Sequence, residues 1–367
     1  MLFYEQRILK LIEIDVYNFF FFIYKAVPGN YCERAIPEPF RTRKSSLSAP
    51  MVLCLKVWES RSLPGLEILM KKNHIIVTGG AGFVGSNLIE QLVKFKKFKI
   101  ISLDDYSSGN FKNHIKHKNV KYVKCNTLEI EKQLYKIKDK INAVFHFGEF
   151  SRIYQSFKKF DQCFKSNSLG SRAVFKFCLD HKIKLIYSAT SASLGNGGND
   201  KNLSPYAFTK AKNLEFLENL KKWFGFKYEV IYFYNVYGPR QIEKGDMATV
   251  IGIFEHQYKQ KKPLTIVRPG TQTRRFTHIH DTINVCVEAW EKNKNFHYSI
   301  SSKQSYSIKD VAKMFNCKIK YLPKRPGERF ASALTKMNLS NKIVSRFGKI
   351  KLRDYINKFL ENHRFTS

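Results

Sequence analysis

From Lys71 onward the chain alternates short, strand-like apolar runs with stretches whose apolar positions recur at helical spacing. The runs are His74–Thr78, Lys99–Leu103, Val120–Lys124, Ala143–Phe147, Lys184–Ser188 and Tyr228–Tyr234. Between the first two, Ser86–Phe95 puts Leu88, Ile89 and Leu92 on one face, the period of an amphipathic helix. Continuously apolar strands are those covered on both faces, as in parallel sheets flanked by helices. The pattern therefore predicts a doubly wound α/β fold with a parallel sheet over residues 70–237. From 238 to 367 the alternation is less regular. That part is expected to form mainly a smaller substrate-binding lobe, with some segments returning to the sheet.

Residues 1–69 read differently. Strand and helix patterns do not alternate there, and Pro28, Pro37, Pro39, Pro50 and Pro64 interrupt any long element. The segment is expected to be a weakly ordered extension, or Met70 to be the natural start. Its apolar run Val16–Tyr24 contains Asn18 and follows Glu13 and Asp15. It falls well short of the roughly 20 residues of a membrane span, so no membrane association is expected.

Composition narrows the picture. With 367 residues and 43% hydrophobic positions the chain can bury a large core. Seven cysteines, none in a C-x-x-C pair, predict a reducing, cytoplasmic setting without disulfides or a zinc knuckle. The formal net charge of +34 is extreme. The lysines are dispersed rather than gathered in one tail, which argues against nucleic acid as the partner. A positive field also suits an anionic small molecule.

The chemistry begins after the first run, at Gly79-Gly80-Ala81-Gly82-Phe83-Val84-Gly85. Glycines at 80, 82 and 85 satisfy G-x-G-x-x-G. They permit a tight strand-to-helix turn through which backbone N–H groups can face a pyrophosphate. The second run ends in Asp104-Asp105, where a carboxylate can accept hydrogen bonds from a ribose and would repel a 2′-phosphate. Strand, glycine turn, helix and acid together predict a Rossmann unit that binds NAD rather than NADP.

A second constellation lies at Tyr206-Ala207-Phe208-Thr209-Lys210. On a helix, Tyr206 and Lys210 share a face. An ammonium beside a phenol favours the phenolate, a base able to take a hydroxyl proton while hydride leaves the same carbon. Upstream, Lys184–Ser188 runs into Ala189-Thr190-Ser191-Ala192-Ser193, and one of these hydroxyls is placed to bond a reacting oxygen.

These motifs, with LDDYSSGN, VFHFG, NSLG, FYNVYGPRQ, TQTRRF and RPGE in the same order, make residues 73 to about 350 resemble the extended short-chain dehydrogenase/reductases, in their NAD-dependent epimerase/dehydratase branch. The likeness is greatest to the UDP-glucose 4-epimerases. It implies that Tyr206 is the base, Lys210 its activator and holder of the nicotinamide ribose, and Thr190 the bridging hydroxyl. Gly79, Gly82, Phe83, Val84 and Gly85 would line the cofactor phosphates, and Asp104, Asp105, Asn126 and Thr127 its adenosine. Phe147, Gly148 and Tyr234 would lie along the cofactor. Thr190, Asn235, Arg274 and Arg325 would hold a nucleotide-sugar, expected to be a UDP-hexose. A homodimer built on two helices per subunit is implied as well.

The chain departs from the family pattern at several places. Asn126 stands where Asp is usual, Tyr232 where Arg is common, Arg275 where Asp often follows, and Ser193-Leu194-Gly195 in place of V-Y-G. The Asp-Glu pair that follows the threonine in sugar 4,6-dehydratases is here Ser191-Ala192, so epimerisation is favoured over water loss. Ser332 is small at a position that would admit a 2-acetamido group. An acetamido-sugar epimerase, a dehydratase or a reductase, and a non-catalytic NAD- or RNA-binding relative, are the alternatives. His278-Ile279-His280 is expected on a strand of the lobe rather than at a metal, and no metal is expected elsewhere.

Overall fold

The computed structural model describes residues 72–193, 200–327 and 342–363. The proposed extension and Ser332 lie outside these.

In chain order the strands and helices begin β1 His74–Thr78, α1 Phe83–Leu92, β2 Lys99–Asp104, β3 Val120–Lys124, α2 Ile130–Leu134 and β4 Ile141–His146. Next come α3 Ile153–Lys158, α4 Phe160–Phe164, a π-helical turn Lys165–Gly170, α5 Ser171–Asp180, β5 Lys184–Thr190, α6 Pro205–Phe224 and β6 Tyr228–Phe233. The remaining elements are β7 Val236–Tyr237, α7 Val250–Lys259, β8 Leu264–Val267, β9 Thr273–Arg274, β10 Thr277–His278 and α8 Ile279–Lys292. The chain closes with β11 His297–Ser301, β12 Tyr306–Ser307, α9 Ile308–Lys313, β13 Ile319–Leu322, β14 Ile343–Phe347 and α10 Leu352–Asn362.

Eight strands form one sheet in the order β14-β11-β6-β5-β4-β1-β2-β3. Every neighbouring pair in it is parallel. The strand order reverses between β1 and β4, so the loops leaving these two strands diverge and open a crevice at their carboxyl ends. The doubly wound sheet expected from the apolar runs is therefore present. Its last two strands come from beyond residue 238.

Both faces of the central strands of the sheet are covered, which explains their apolar runs. On one face Ile76, Leu103, Val144 and Leu185 pack under Val174 and Phe177 of α5 and Leu214 and Leu217 of α6. On the other, Ile75, Val77, Phe145 and Ile231 pack under Leu88 and Ile89 of α1 and Ile283, Cys286 and Trp290 of α8. A third core, around Phe254, Ile266, Val311, Phe315 and Ile356, belongs to the later elements. Neighbouring β1 side chains thus enter opposite cores, as a strand's twofold period requires.

The element that carries Tyr206 is fixed at both ends by sequence. Ser204 caps α6 by accepting a hydrogen bond from Ala207 N, and Pro205 occupies the first turn. Gly225, with φ +66°, ends the helix in the left-handed conformation. The helix predicted at Ser86–Phe95 instead starts at Phe83, directly after the glycine turn. The expected strand at His278–His280 is also corrected. His278 ends β10, and its Nδ1 accepts from His280 N (3.2 Å) to cap α8, so the two histidines straddle a helix start. Among the described residues no helix is long and apolar enough to cross a membrane.

Candidate active site

At the switch point between β1 and β4 a cleft of about 420 Å³ opens at the carboxyl ends of the strands. That volume suits a dinucleotide in part and a small substrate beside it. Gly79, Gly82, Phe83, Val84 and Gly85 form one wall, with Asp104, Asp105, Asn126 and Thr127 beyond them. Phe147 and Gly148 form the opposite wall, and Thr190, Tyr206, Lys210 and Asn235 line the far end.

The glycine turn is shaped by close approach. Gly79 has φ +70°, and a Cβ on Gly85 would stand 2.1 Å from the Gly79 carbonyl oxygen. The turn delivers the chain into α1 with Gly82 at the cap position and no acidic side chain in the first turn. The positive end of a ten-residue helix thus faces the cleft, a fit for pyrophosphate oxygens.

Asp104 also has a structural part. Its carboxylate accepts from Ala81 N (2.9 Å) and from Tyr106 N (2.8 Å), so it also ties the glycine turn to the loop after β2. Burial raises its pKa, and the two N–H groups oppose that rise. Asn126 donates to Asp105 (3.3 Å) and accepts from Leu128 N (3.0 Å), so the Asn found in place of Asp ties the loop after β3 to the loop after β2.

Tyr206 and Lys210 lie one turn apart on α6, both buried. Lys210 Nζ donates to Ser188 O (2.5 Å) and contacts Glu149. Thr190 ends β5 on the same wall, and its hydroxyl oxygen accepts from Ala192 N (3.1 Å). Seen across α6, the Tyr206 N–H is held by Ser156 Oγ (3.2 Å) of α3. Tyr206, Lys210 and Thr190 therefore converge from two elements onto the cleft that the glycine turn opens.

Three of the predicted residues do not reach it. Tyr234 follows β6 with its side chain in the core under α5 and α6, and its hydroxyl meets Ser299 Oγ (2.9 Å). Phe233, one residue earlier, lines the cleft instead. Consecutive side chains of extended chain alternate, so only one of the two faces the cleft. Arg274 donates to the carbonyl of Thr273 (2.8 Å), outside the cleft lining. Arg325 is exposed and stacks over Tyr154, 5.0 Å from its ring centre.

The structure adds residues that the motifs did not single out. Glu149 and Arg152 follow β4 and line the cleft. Asn167, in the π-helical turn, accepts from Phe150 N (2.7 Å) and donates to Phe150 O (3.0 Å), pinning the loop that carries them. The available signal was position alone, since an acid just past a buried parallel strand lies where such sheets bind ligands. Among the described residues no group of three or more His, Cys, Asp or Glu side chains is placed to hold a metal.

Comparison with known proteins agrees with this geometry. The profile of the NAD dependent epimerase/dehydratase family matches residues 75–301. An uncharacterized UDP-glucose epimerase of Bacillus subtilis is 31% identical over 226 residues, 57% of this chain and 70% of that one. The ADP-L-glycero-D-manno-heptose-6-epimerase of Brachyspira hyodysenteriae is 32% identical over 260 residues, 65% of this chain and 79% of its own. Among solved structures, the Bacillus cereus UDP-glucuronic acid 4-epimerase, in complex with UDP-glucuronic acid and NAD, superposes with a TM-score of 0.67 at 25% identity. That superposition covers 79% of this chain and 99% of the other. The matched span runs from the first strand of the sheet through β11, and on that ground this chain belongs to the NAD dependent epimerase/dehydratase family.

Proposed function

We propose that the protein epimerises a nucleotide-sugar, UDP-glucose to UDP-galactose and back, at C4 of the hexose. The observation that carries this reading is the placement of Tyr206, Lys210 and Thr190 on the cleft opened by the glycine turn. Bound NAD would supply a reversible two-electron acceptor for the sugar carbon, and the residues for it are Gly79–Gly85, Asp104, Phe147, Gly148 and Lys210. The phenol oxygen of Tyr206 takes the proton of the sugar 4-hydroxyl and returns it after the ring has turned over. The Lys210 ammonium favours the phenolate in that exchange. Thr190 Oγ1 holds the reacting oxygen as it passes between hydroxyl and ketone. Asn235 lines the sugar side, and Phe233 takes the place along the cofactor first assigned to Tyr234.

Ser191 and Ala192 follow Thr190 with no acid or base side chain, which supports epimerisation over water elimination. The names of the relatives support a nucleotide-sugar substrate. A homodimer is part of the proposal. Phe157, Phe160 and Phe208 stand exposed on α3, α4 and α6, apolar surface that a second copy would cover.

Replacement of Tyr206 tests the reading. Tyr206→Phe should lower turnover by about 10²- to 10⁴-fold, the share of a general base, while bound NAD is kept. Full activity in that variant would contradict it.

A further inference from the structure

We infer that Glu149 is a positioning residue that holds Lys210 as an ammonium ion beside Tyr206. The inference rests on the roles just given to Tyr206 and Lys210.

Glu149 and Lys210 are in contact, and their side chains are 2% and 4% exposed. While Oε2 meets Lys210, Oε1 accepts from Ser171 Oγ (2.7 Å), Tyr187 OH (3.1 Å) and Asn213 Nδ2 (3.1 Å). A buried carboxylate with four donors is a built counter-ion rather than a surface acid.

The network behind it has a definite direction. Phe147 N (3.1 Å) and Gly148 N (3.0 Å) both donate to Thr78 Oγ1, which uses both lone pairs of that oxygen. The Thr78 hydroxyl therefore donates to His146 Nδ1 (2.7 Å). His146 is fully buried and kept neutral, its pKa pushed down to about 4 by burial. A neutral ring that accepts at Nδ1 carries its proton on Nε2, which faces Ser171 Oγ at 3.0 Å. Ser171 then passes its own hydroxyl hydrogen to Glu149. Every link points donors at the carboxylate, and the chain begins at Gly148, which lines the cofactor cleft.

Burial lowers the pKa of Lys210, and Glu149 acts in the opposite sense. The other titratable groups facing the pair supply no opposing charge. Tyr187 of β5, with its ring 4.7 Å from Nζ, is raised far above its ordinary pKa by burial. Cys163 of α4 is pushed up to about 11 by burial, and His146 at the end of β4 is neutral. Arg152, before α3, is a cation that acts on Tyr206. Without Glu149 the largest opposition to that lowering is gone, and the amine favours a phenolate on Tyr206 less.

The test is Glu149→Gln, which keeps the shape and removes the charge. Trace acetylation of the purified protein with acetic anhydride, followed by mass spectrometry of the peptide that carries Lys210, reads the protonation of that amine against pH. The labelling midpoint should move down by about one pH unit or more, the effect of losing an opposite charge in contact. The alkaline limb of turnover should move the same way with NAD content unchanged. Glu149→Asp, whose carboxylate stands back by one methylene, should fall between the two. It also serves if Glu149→Gln does not fold. A labelling midpoint equal to wild type in a folded variant would overturn the inference. If the wild-type protein turns over no nucleotide-sugar, the proposed reaction fails, and the labelling midpoint still judges the hold of Glu149 on Lys210.

Discussion

The backbones of Gly79 and Gly148 touch, and a Cβ on Gly148 would stand 2.9 Å from the Gly79 nitrogen. This contact joins the glycine turn after β1 to the loop after β4, and both line the cleft. Gly148 lacks the left-handed φ of Gly79, so an alanine there tests the approach and not the backbone. Gly148→Ala should weaken NAD binding by about tenfold or more, equivalent to ~1.4 kcal/mol, with the fold kept. Calorimetric titration of NAD checks this; unchanged affinity would show that the turn can shift without loss.

Arg152 bridges from the β4 loop to the segment before α7. Its Nε (2.9 Å) and Nη2 (2.5 Å) both donate to the Met247 carbonyl oxygen. Ile242, Ala248 and Thr249 of that segment line the cleft. Arg152→Met removes a charge-assisted clamp of about 1.5–3 kcal/mol. It should raise KM for the nucleotide-sugar by about ten- to a hundredfold. The exposed pair Lys159–Asp246 (3.3 Å) ties the same segment. Asp246→Ala should change KM by less than about threefold, because exposed ion pairs contribute little. Steady-state kinetics of the two variants separates the clamps.

Three buried histidines set the acid limit of the fold. His146, His278 and His297 each have their pKa pushed down to about 4, first by burial. The unfolded chain takes up these protons near pH 6.5, the folded chain only near 4. The part of the stability that these histidines contribute is therefore full above about pH 6.5, falls as pH drops toward 4, and levels off below. For His146, fully buried, the slope inside that window approaches about 1.4 kcal/mol per pH unit. Urea unfolding at pH 7.5, 6 and 5 should show the loss, and His146→Gln should make it shallower by about one proton.

Local pattern made much of the fold legible. β1 and β6 sit where their apolar runs lie, because strands buried on both faces write their burial into consecutive residues; the edge strand β3, only partly buried, was marked by Val120, Tyr122 and Val123 alone. β14 left no such mark. It is an edge strand whose Ser345, Arg346 and Phe347 are exposed, and it pairs with β11 from more than 40 residues away. Motifs that act through the backbone or within one helix turn, Gly79–Gly85 and Tyr206–Lys210, were readable for the same local reason. Glu149 was not, since its partners Ser171, Tyr187, Lys210 and Asn213 come from three other elements. Tyr234 and Phe233 show the opposite limit, where one residue of register moves a side chain from core to cleft.

The central claim is tested most directly by incubating the purified protein with UDP-glucose, UDP-galactose, UDP-N-acetylglucosamine and UDP-glucuronate and resolving the products. The account predicts that UDP-glucose and UDP-galactose interconvert to the same mixture from either side, with no net release of NADH. Formation of a dehydrated 4-keto-6-deoxy sugar, stoichiometric NADH release, or failure to invert any of the four at C4 would contradict it.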